Sequence, residues 1–211
     1  AAFRIPDFLF ATVASLLSLY ALLPILSRLE QKNDGYLIAF LRDILLIFFV
    51  GMAAISLVVF FFVPELVTLI APGFTADPVS KAQLIFLIRI LLLQPILLGA
   101  SNTLAALTQL RHRFILYSVS PLLYNVGIII GAVFFYPKVG VVGLGYGVVL
   151  GAFMHMLVQA PFFFAEKRTA RMPFALLMKS FWEVLALSVP RTLALSAGQI
   201  SLLAIIAMAS Y

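Results

Sequence analysis

The chain has 211 residues, of which 64% are hydrophobic and 10% charged. A soluble domain cannot keep that much apolar surface from water, and a β-barrel would show alternating segments of about 10 residues instead of continuous apolar runs, so both are excluded. The net charge of +6 reads as basic residues that hold loops in the cytoplasm, not as a nucleic-acid footprint, and the absence of cysteine excludes disulfides, thiol nucleophiles and thiolate metal sites. What remains is an all-α polytopic membrane protein, because apolar runs able to cross a core of roughly 30 Å recur along the chain.

Six spanning passages are expected, at about 8–27, 37–63, 83–108, 115–136, 141–164 and 184–208. Ahead of the first, Asp7 is placed to cap a helix with Arg4 as its charge partner, or Arg4 stands at the mouth of a cavity and attracts an anionic headgroup. Between the second and third lies a loop from Glu65 to Lys81 with a turn at Ala71-Pro72-Gly73-Phe74. The stretch Gln109–Gly131 joins a basic turn, an early proline (Pro121) and Asn125 in one apolar setting and reads as a hinge, followed by a short turn at Tyr136–Lys138. Residues Met172–Glu183 are too polar at Lys179 and Glu183 to span, and are expected as an interfacial helix with Phe181 and Trp182 at headgroup level.

Counting Lys and Arg on alternate sides sets the orientation. Arg28, Lys32, Arg42, Arg111, Arg113, Lys167, Arg168, Arg171, Lys179 and Arg191 fall on one side, against Arg4, Lys81, Arg89 and Lys138 on the other. The richer side is cytoplasmic, which places Ala1 outside. Ala1–Phe10 lacks a signal-peptide layout. Both ends abut apolar runs, so the chain is expected to be a fragment of a longer protein.

Several residues could carry function. Pro24, Pro95, Pro121 and Pro190 lie in or near the ends of apolar runs; each frees a carbonyl four residues back, which serves either a static kink or a moving broken helix. Gly143, Gly147 and Gly151 recur every fourth residue, as do Gly127 and Gly131 of the preceding passage, a spacing that lets helix backbones approach closely and fits a tight hairpin. The stretch Gly143–Gly147 lacks the GxGxxG order and a preceding strand, so it packs and does not bind nucleotide. His155 and Gln159 continue the glycine ridge; His155 reads as a neutral hydrogen-bonding residue ahead of a proton relay. Arg89 and Arg191 either snorkel to the interface or turn inward to bind a diphosphate. No carboxylate lies in mid-span, and no Ser/His/Asp or HExxH arrangement is present, which argues against a cation-driven pump and against an enzyme.

Taken together, Ala2-Phe3-Arg4-Ile5-Pro6-Asp7-Phe8-Leu9, Ala71-Pro72-Gly73-Phe74, Pro121-Leu122-Leu123-Tyr124-Asn125, Gly147-Val148-Val149-Leu150-Gly151 and Val189-Pro190-Arg191-Thr192-Leu193 with Ser196–Leu202 resemble the MurJ/MviN family of lipid II flippases, in order along the whole chain. The resemblance implies a partial MOP/MATE-like fold of two helical lobes about a cation-lined cavity. Residues 1–171 would be family helices two to six of the N-terminal lobe, 172–183 an interfacial linker, and 184–211 the first helix of the second lobe. Family members often carry an arginine after the Pro-Asn/Asp-Phe-Leu run and an acidic-glycine pair a turn later. Here those places read Phe10-Ala11 and Ala14-Ser15-Leu16.

The implied function is flipping a lipid-linked peptidoglycan precursor across the bacterial inner membrane by alternating access. Headgroup contacts are expected from Arg4 and Arg89, with Asn102 and Asn125 as neutral hydrogen-bonding support. The implied partners are a lipid-linked diphosphate glycan and membrane lipids, with a coupling ion or the membrane potential as driving force, and no cofactor or metal. Two other readings fit the same scaffold: a related exporter of drugs or lipid-linked polysaccharide, and a non-transporting membrane scaffold that recruits cell-wall enzymes.

Overall fold

A computed structural model describes residues 2–71, 73, 77–166 and 171–209, the side chains at 34, 203, 206, 207 and 209 excepted. Ala1, Pro72, Phe74, Lys167, Arg168 and Tyr211, on which the chain-end, turn and charge-side expectations partly rest, lie outside the described residues. Every described element is helical: α1 (Arg4–Thr12), a 3-10 turn (Ala14–Leu17), α2 (Leu19–Lys32), α3 (Asp34–Ile70), α4 (Pro78–Leu91), α5 (Leu93–Leu110), α6 (Phe114–Ile130), a π-helical turn (Gly131–Phe135), α7 (Tyr136–Val139), α8 (Val141–Leu157), α9 (Ala160–Ala165) and α10 (Phe174–Ala209). Among them, 35–70, 78–110, 114–139 and 141–165 are long and apolar enough to cross a membrane. Residues 4–32 form a fifth span if its two halves, bent by 42°, count as one.

Four or five spans are thus counted among the described residues, against the six expected; the expected sixth, at about 184–208, falls within α10, which is not among those counted, and here the structure differs from the expected layout. Phe174–Ala209 is one uninterrupted helix, with Pro190 inside it and no break at 183–184. The polar residues Lys179 and Glu183 are good helix formers, and no glycine lies before Gly198, so nothing local stops the helix where hydropathy changes. The expected turn at Tyr136–Lys138 is likewise helical. Pro137 sits in the first turn of α7, where its missing N–H is no loss, and the reversal falls on Gly140 alone, at φ 64° and ψ −146°. Only glycine tolerates that backbone conformation readily.

Helices α6 and α8 pack backbone to backbone. A methyl built on Gly131 would lie 2.5 Å from the Cα of Gly147, and one on Gly127 would collide with Gly151. Without a hydrophobic driving force between helices in lipid, such close approach supplies the dispersion contact that holds the pair. On the other side α5 is the central helix: Leu104, Ala106 and Leu107 are buried, as are Leu22, Leu26, Phe40, Leu41 and Ile44 of its neighbours α2 and α3.

A cap marks the end of the loop between α3 and α4. Asp77 begins α4 by accepting hydrogen bonds from the Ser80 hydroxyl and from the amides of Ser80 (3.0 Å) and Val79 (3.2 Å). The Ser80 hydroxyl first, then these amides, hold the Asp77 carboxyl below the usual carboxylate range. A depressed carboxylate pKa stabilises the folded helix start above the unfolded value near 4 and ceases to do so as pH falls through the folded pKa. Hydrogen exchange at the Val79 and Ser80 amides should therefore show protection at pH 6 that declines below about pH 4. Asp77→Ala should remove that pH dependence.

Candidate functional site

The first passage breaks without a proline. Thr12 Oγ1 donates to the Phe8 carbonyl at 2.7 Å, and Ser15 Oγ donates to the Ala11 carbonyl. Hydroxyls that bond back four residues compete with the helical N–H and bend the helix. Val13 ends α1, the chain tightens into the 3-10 turn, and Ser18 is extended at φ −66° and ψ 144° before α2 begins. Non-helical backbone at membrane depth is tolerated where protein buries it or a cavity solvates it.

α10 supplies the covering surface. Its residues Ser180, Val184, Ser188 and Thr192 recur every fourth position and are all buried, so the face it turns inward is largely hydroxylic. Thr192 Oγ1 lies 2.8 Å from Ser15 Oγ, joining α10 to the break, while Ser196 Oγ donates to the Thr192 carbonyl at 2.7 Å. The hydroxyls of Ser180 and Ser188 and the Oε1 atom of Gln199 are buried with no hydrogen-bond partner among the described residues. A dry seam between two static helices would satisfy such groups. Elsewhere between α2 and α10, the Arg191 guanidinium lies 4.3 Å from the Tyr20 ring centroid, and Arg28 pairs with Glu183.

Arg4 opens α1. It is half-buried and makes no hydrogen bond or ion pair among the described residues. Asp7, one turn on, interacts electrostatically with Arg4 and with the Tyr124 phenol of α6. Gln94 Nε2 reaches the Tyr124 hydroxyl at 3.4 Å, and Gln94 Oε1 is buried without a partner. Arg4, Asp7, Gln94 and Tyr124 thus form a polar group spread over α1, α5 and α6.

The other sequence candidates are dispersed. Arg89 is half-buried on α4 and turns towards α3: its Nε donates to the Phe60 carbonyl at 3.2 Å, and its guanidinium carbon lies 4.5 Å from the Phe60 ring centroid. That carbonyl is the one Pro64 deprives of its helical N–H, so Arg89 replaces a hydrogen bond that the proline removed. Asn102 is half-buried on α5 and Asn125 is exposed on α6; neither bonds to Arg4, Arg89 or the other. The four residues are not gathered into one site in this conformation.

Two further polar groups hold the bundle. His155 Nδ1 lies 2.7 Å from Ser101 Oγ on α5, and Gln159 Nε2 donates to the same hydroxyl at 2.9 Å. Ser101 Oγ also reaches the His155 carbonyl at 3.1 Å, and Thr108 Oγ1 donates to Gln159 Oε1 at 3.4 Å. His155 is therefore the histidine bonded to a neighbouring helix that its sequence setting favours. At the basic end, Arg111 binds Glu30 at 2.6 Å and Glu166 at 3.2 Å, drawing the ends of α2, α5 and α9 together.

Sequence reasoning named the Phe10 and Ala14–Leu16 neighbourhoods only as departures, and missed Ser15 and Thr192. A signal was present: Thr12, Ser15 and Ser18 recur at three-residue spacing, the period of the 3-10 turn that holds Ser15 and that Thr12 and Ser18 flank.

With this geometry in hand, comparison with known proteins is specific. The sequence model of a family described as "MurJ: Lipid II flippase MurJ" matches residues 1–211. The chain is 25% identical over 204 residues to the probable lipid II flippase MurJ of Buchnera aphidicola subsp. Acyrthosiphon pisum (strain APS). That alignment covers 95% of this chain and 40% of the relative, so the chain spans well under half the length of the curated protein it matches.

Proposed function

Because the chain belongs to the MurJ lipid II flippase family, matched over residues 1–211, we propose that it forms one lobe, with the first helix of a second, of a transporter that flips lipid II across the bacterial inner membrane. The observation that carries the reading is the broken helix 4–32, headed by the half-buried Arg4, which makes no hydrogen bond or ion pair among the described residues, and seated against the hydroxylic face of α10. Discontinuous helices are a recurring device for binding substrate between lobes, since their free backbone groups and dipole ends face the ligand.

In the proposed cycle the Arg4 guanidinium pairs with diphosphate oxygens, to which its planar fork is matched. Asp7 beside it orients the cation and weakens its hold, so that the headgroup can leave. Asn102 and Asn125 offer neutral hydrogen bonds along the path. The 3-10 turn and extended Ser18 are the bending point, and the unpartnered hydroxyls of Ser180 and Ser188 find partners when α10 shifts against it. Prenyl tails remain in the bilayer. No bond is made or broken, in keeping with a family of transporters rather than catalytic enzymes.

The direct test reconstitutes the full-length protein in vesicles loaded with lipid II and labels outward-facing headgroups with a membrane-impermeant reagent. Labelling that rises with time above protein-free vesicles is the expected result. Equal labelling in both would overturn the proposal.

A further inference from the structure

Between α3 and the α4–α5 junction lies a groove of about 650 Å³. Its walls are apolar: Leu57 and Phe60 on one side, Phe86, Ile90, Leu93 and Ile96 on the other. Leu57, Phe86 and Leu93 are each at least half exposed, so the groove opens outward from the bundle, away from the seam between the broken helix and α10. Volume and lining fit a hydrocarbon chain.

One charge enters this oil. Arg89 lies on α4 eleven residues from Pro78, about 16 Å along the helix, and six residues inside the apolar passage, about 9 Å. That depth belongs to the outer leaflet, within reach of the phosphate level for a side chain that extends outward. Its Nε is committed to the Phe60 carbonyl and its plane rests on the Phe60 ring, which fixes the guanidinium in place. The terminal nitrogens carry no partner among the described residues, and no carboxylate lines the groove. Ser56, also in the wall, donates to the Leu92 carbonyl at 3.4 Å, which keeps the α4–α5 junction satisfied and leaves no other polar demand there.

A fixed cation with unused donors above a chain-sized apolar groove specifies an amphiphile with an anionic head. We propose that this groove binds an anionic glycerophospholipid of the outer leaflet, with its phosphate on Arg89 and one acyl chain between α3 and α4–α5. The lipid is a bound component separate from the cargo. Pro64 is then part of the site: by freeing the Phe60 carbonyl it supplies the anchor that orients Arg89.

The test uses the full-length protein, purified in mild detergent and titrated with phosphatidylglycerol or diacylglycerol, with bound lipid counted by native mass spectrometry. Wild type should retain phosphatidylglycerol over diacylglycerol, and Arg89→Gln should weaken phosphatidylglycerol binding about tenfold, as expected for loss of a charge-assisted contact. Leu93→Trp, which fills the groove and leaves Arg89 intact, should weaken it as well, and thermal unfolding of both variants checks that they fold. Three outcomes would overturn the proposal: equal retention by wild type and Arg89→Gln, no preference over diacylglycerol, or displacement of the lipid by stoichiometric lipid II. Because binding is read without transport, failure here leaves the flippase proposal standing, and failure of transport leaves this one standing.

Discussion

Replacing Gly147 with leucine is expected to prevent assembly of the α6–α8 hairpin and to abolish membrane accumulation of the protein. A Cβ at this position would lie 2.5 Å from the Cα of Gly131 and 3.0 Å from the Gly127 carbonyl oxygen. Both are backbone atoms, so no rotamer change relieves the clash; the helices must separate. Overpacking a tight interface typically costs about 1–3 kcal/mol, and a clash against backbone on both sides belongs at or above the top of that range. Separation would also forfeit the neighbouring contacts of Gly127 with Gly151 and Gly143 with Phe135, because one rigid ridge carries all of them. Gly51, with nothing within 4 Å of a built methyl, is the internal control. Gly51→Leu should accumulate as wild type does. Fluorescence-detected size exclusion of tagged full-length protein reads both.

The second large effect concerns transport. Arg4→Ala is expected to abolish flipping while leaving expression and thermal stability near wild type. The reason for the split is that Arg4 makes no hydrogen bond or ion pair among the described residues and interacts with Asp7 only through a longer-range electrostatic attraction, so its removal breaks no close contact in the resting fold. An arginine lost from a transition-competent site is different: two charge-assisted hydrogen bonds to a diphosphate are each worth about 1.5–3 kcal/mol, enough for a loss of about a hundredfold or more. Arg4→Lys should retain part of the activity, since lysine keeps the charge and loses the fork.

Much of the architecture was legible because lipid imposes a simple code. Continuous apolar runs fixed the helices, and glycines four apart on two adjacent passages identified the hairpin before any coordinate was known. The break in the first passage was less legible. None of the flagged prolines marks it: Pro24 lies inside α2, while the turn at Ala14–Leu17 depends on hydroxyls that bond back along the helix and on Thr192, 177 residues away from Ser15. A contact of that sequence separation leaves no local pattern. α10 joins into one helix what the sequence divides into two segments. Hydropathy changes at Lys179 and Glu183, yet helix geometry does not, because polarity sets where a helix lies and only backbone chemistry ends it.

The candidate site divides in the same way. Residue type pointed to arginines, but the partner that decides an arginine's role is tertiary. Arg89 is anchored by a carbonyl that Pro64 frees, and that pairing joins α4 to α3 across 29 positions. His155 was readable as a residue bonded to another helix, whereas Ser101 as its partner was not. The polar group of Arg4, Asp7, Gln94 and Tyr124 likewise comes from three helices and appears only once they are packed.

The most direct measurement of the central claim is growth of a bacterium depleted of its own lipid II flippase and supplied with the full-length protein, as wild type or Arg4→Ala. The account predicts rescue by the wild type and none by Arg4→Ala at equal membrane abundance. Rescue by both would contradict the role given to Arg4, and failure of the well-expressed wild type would contradict lipid II as the cargo.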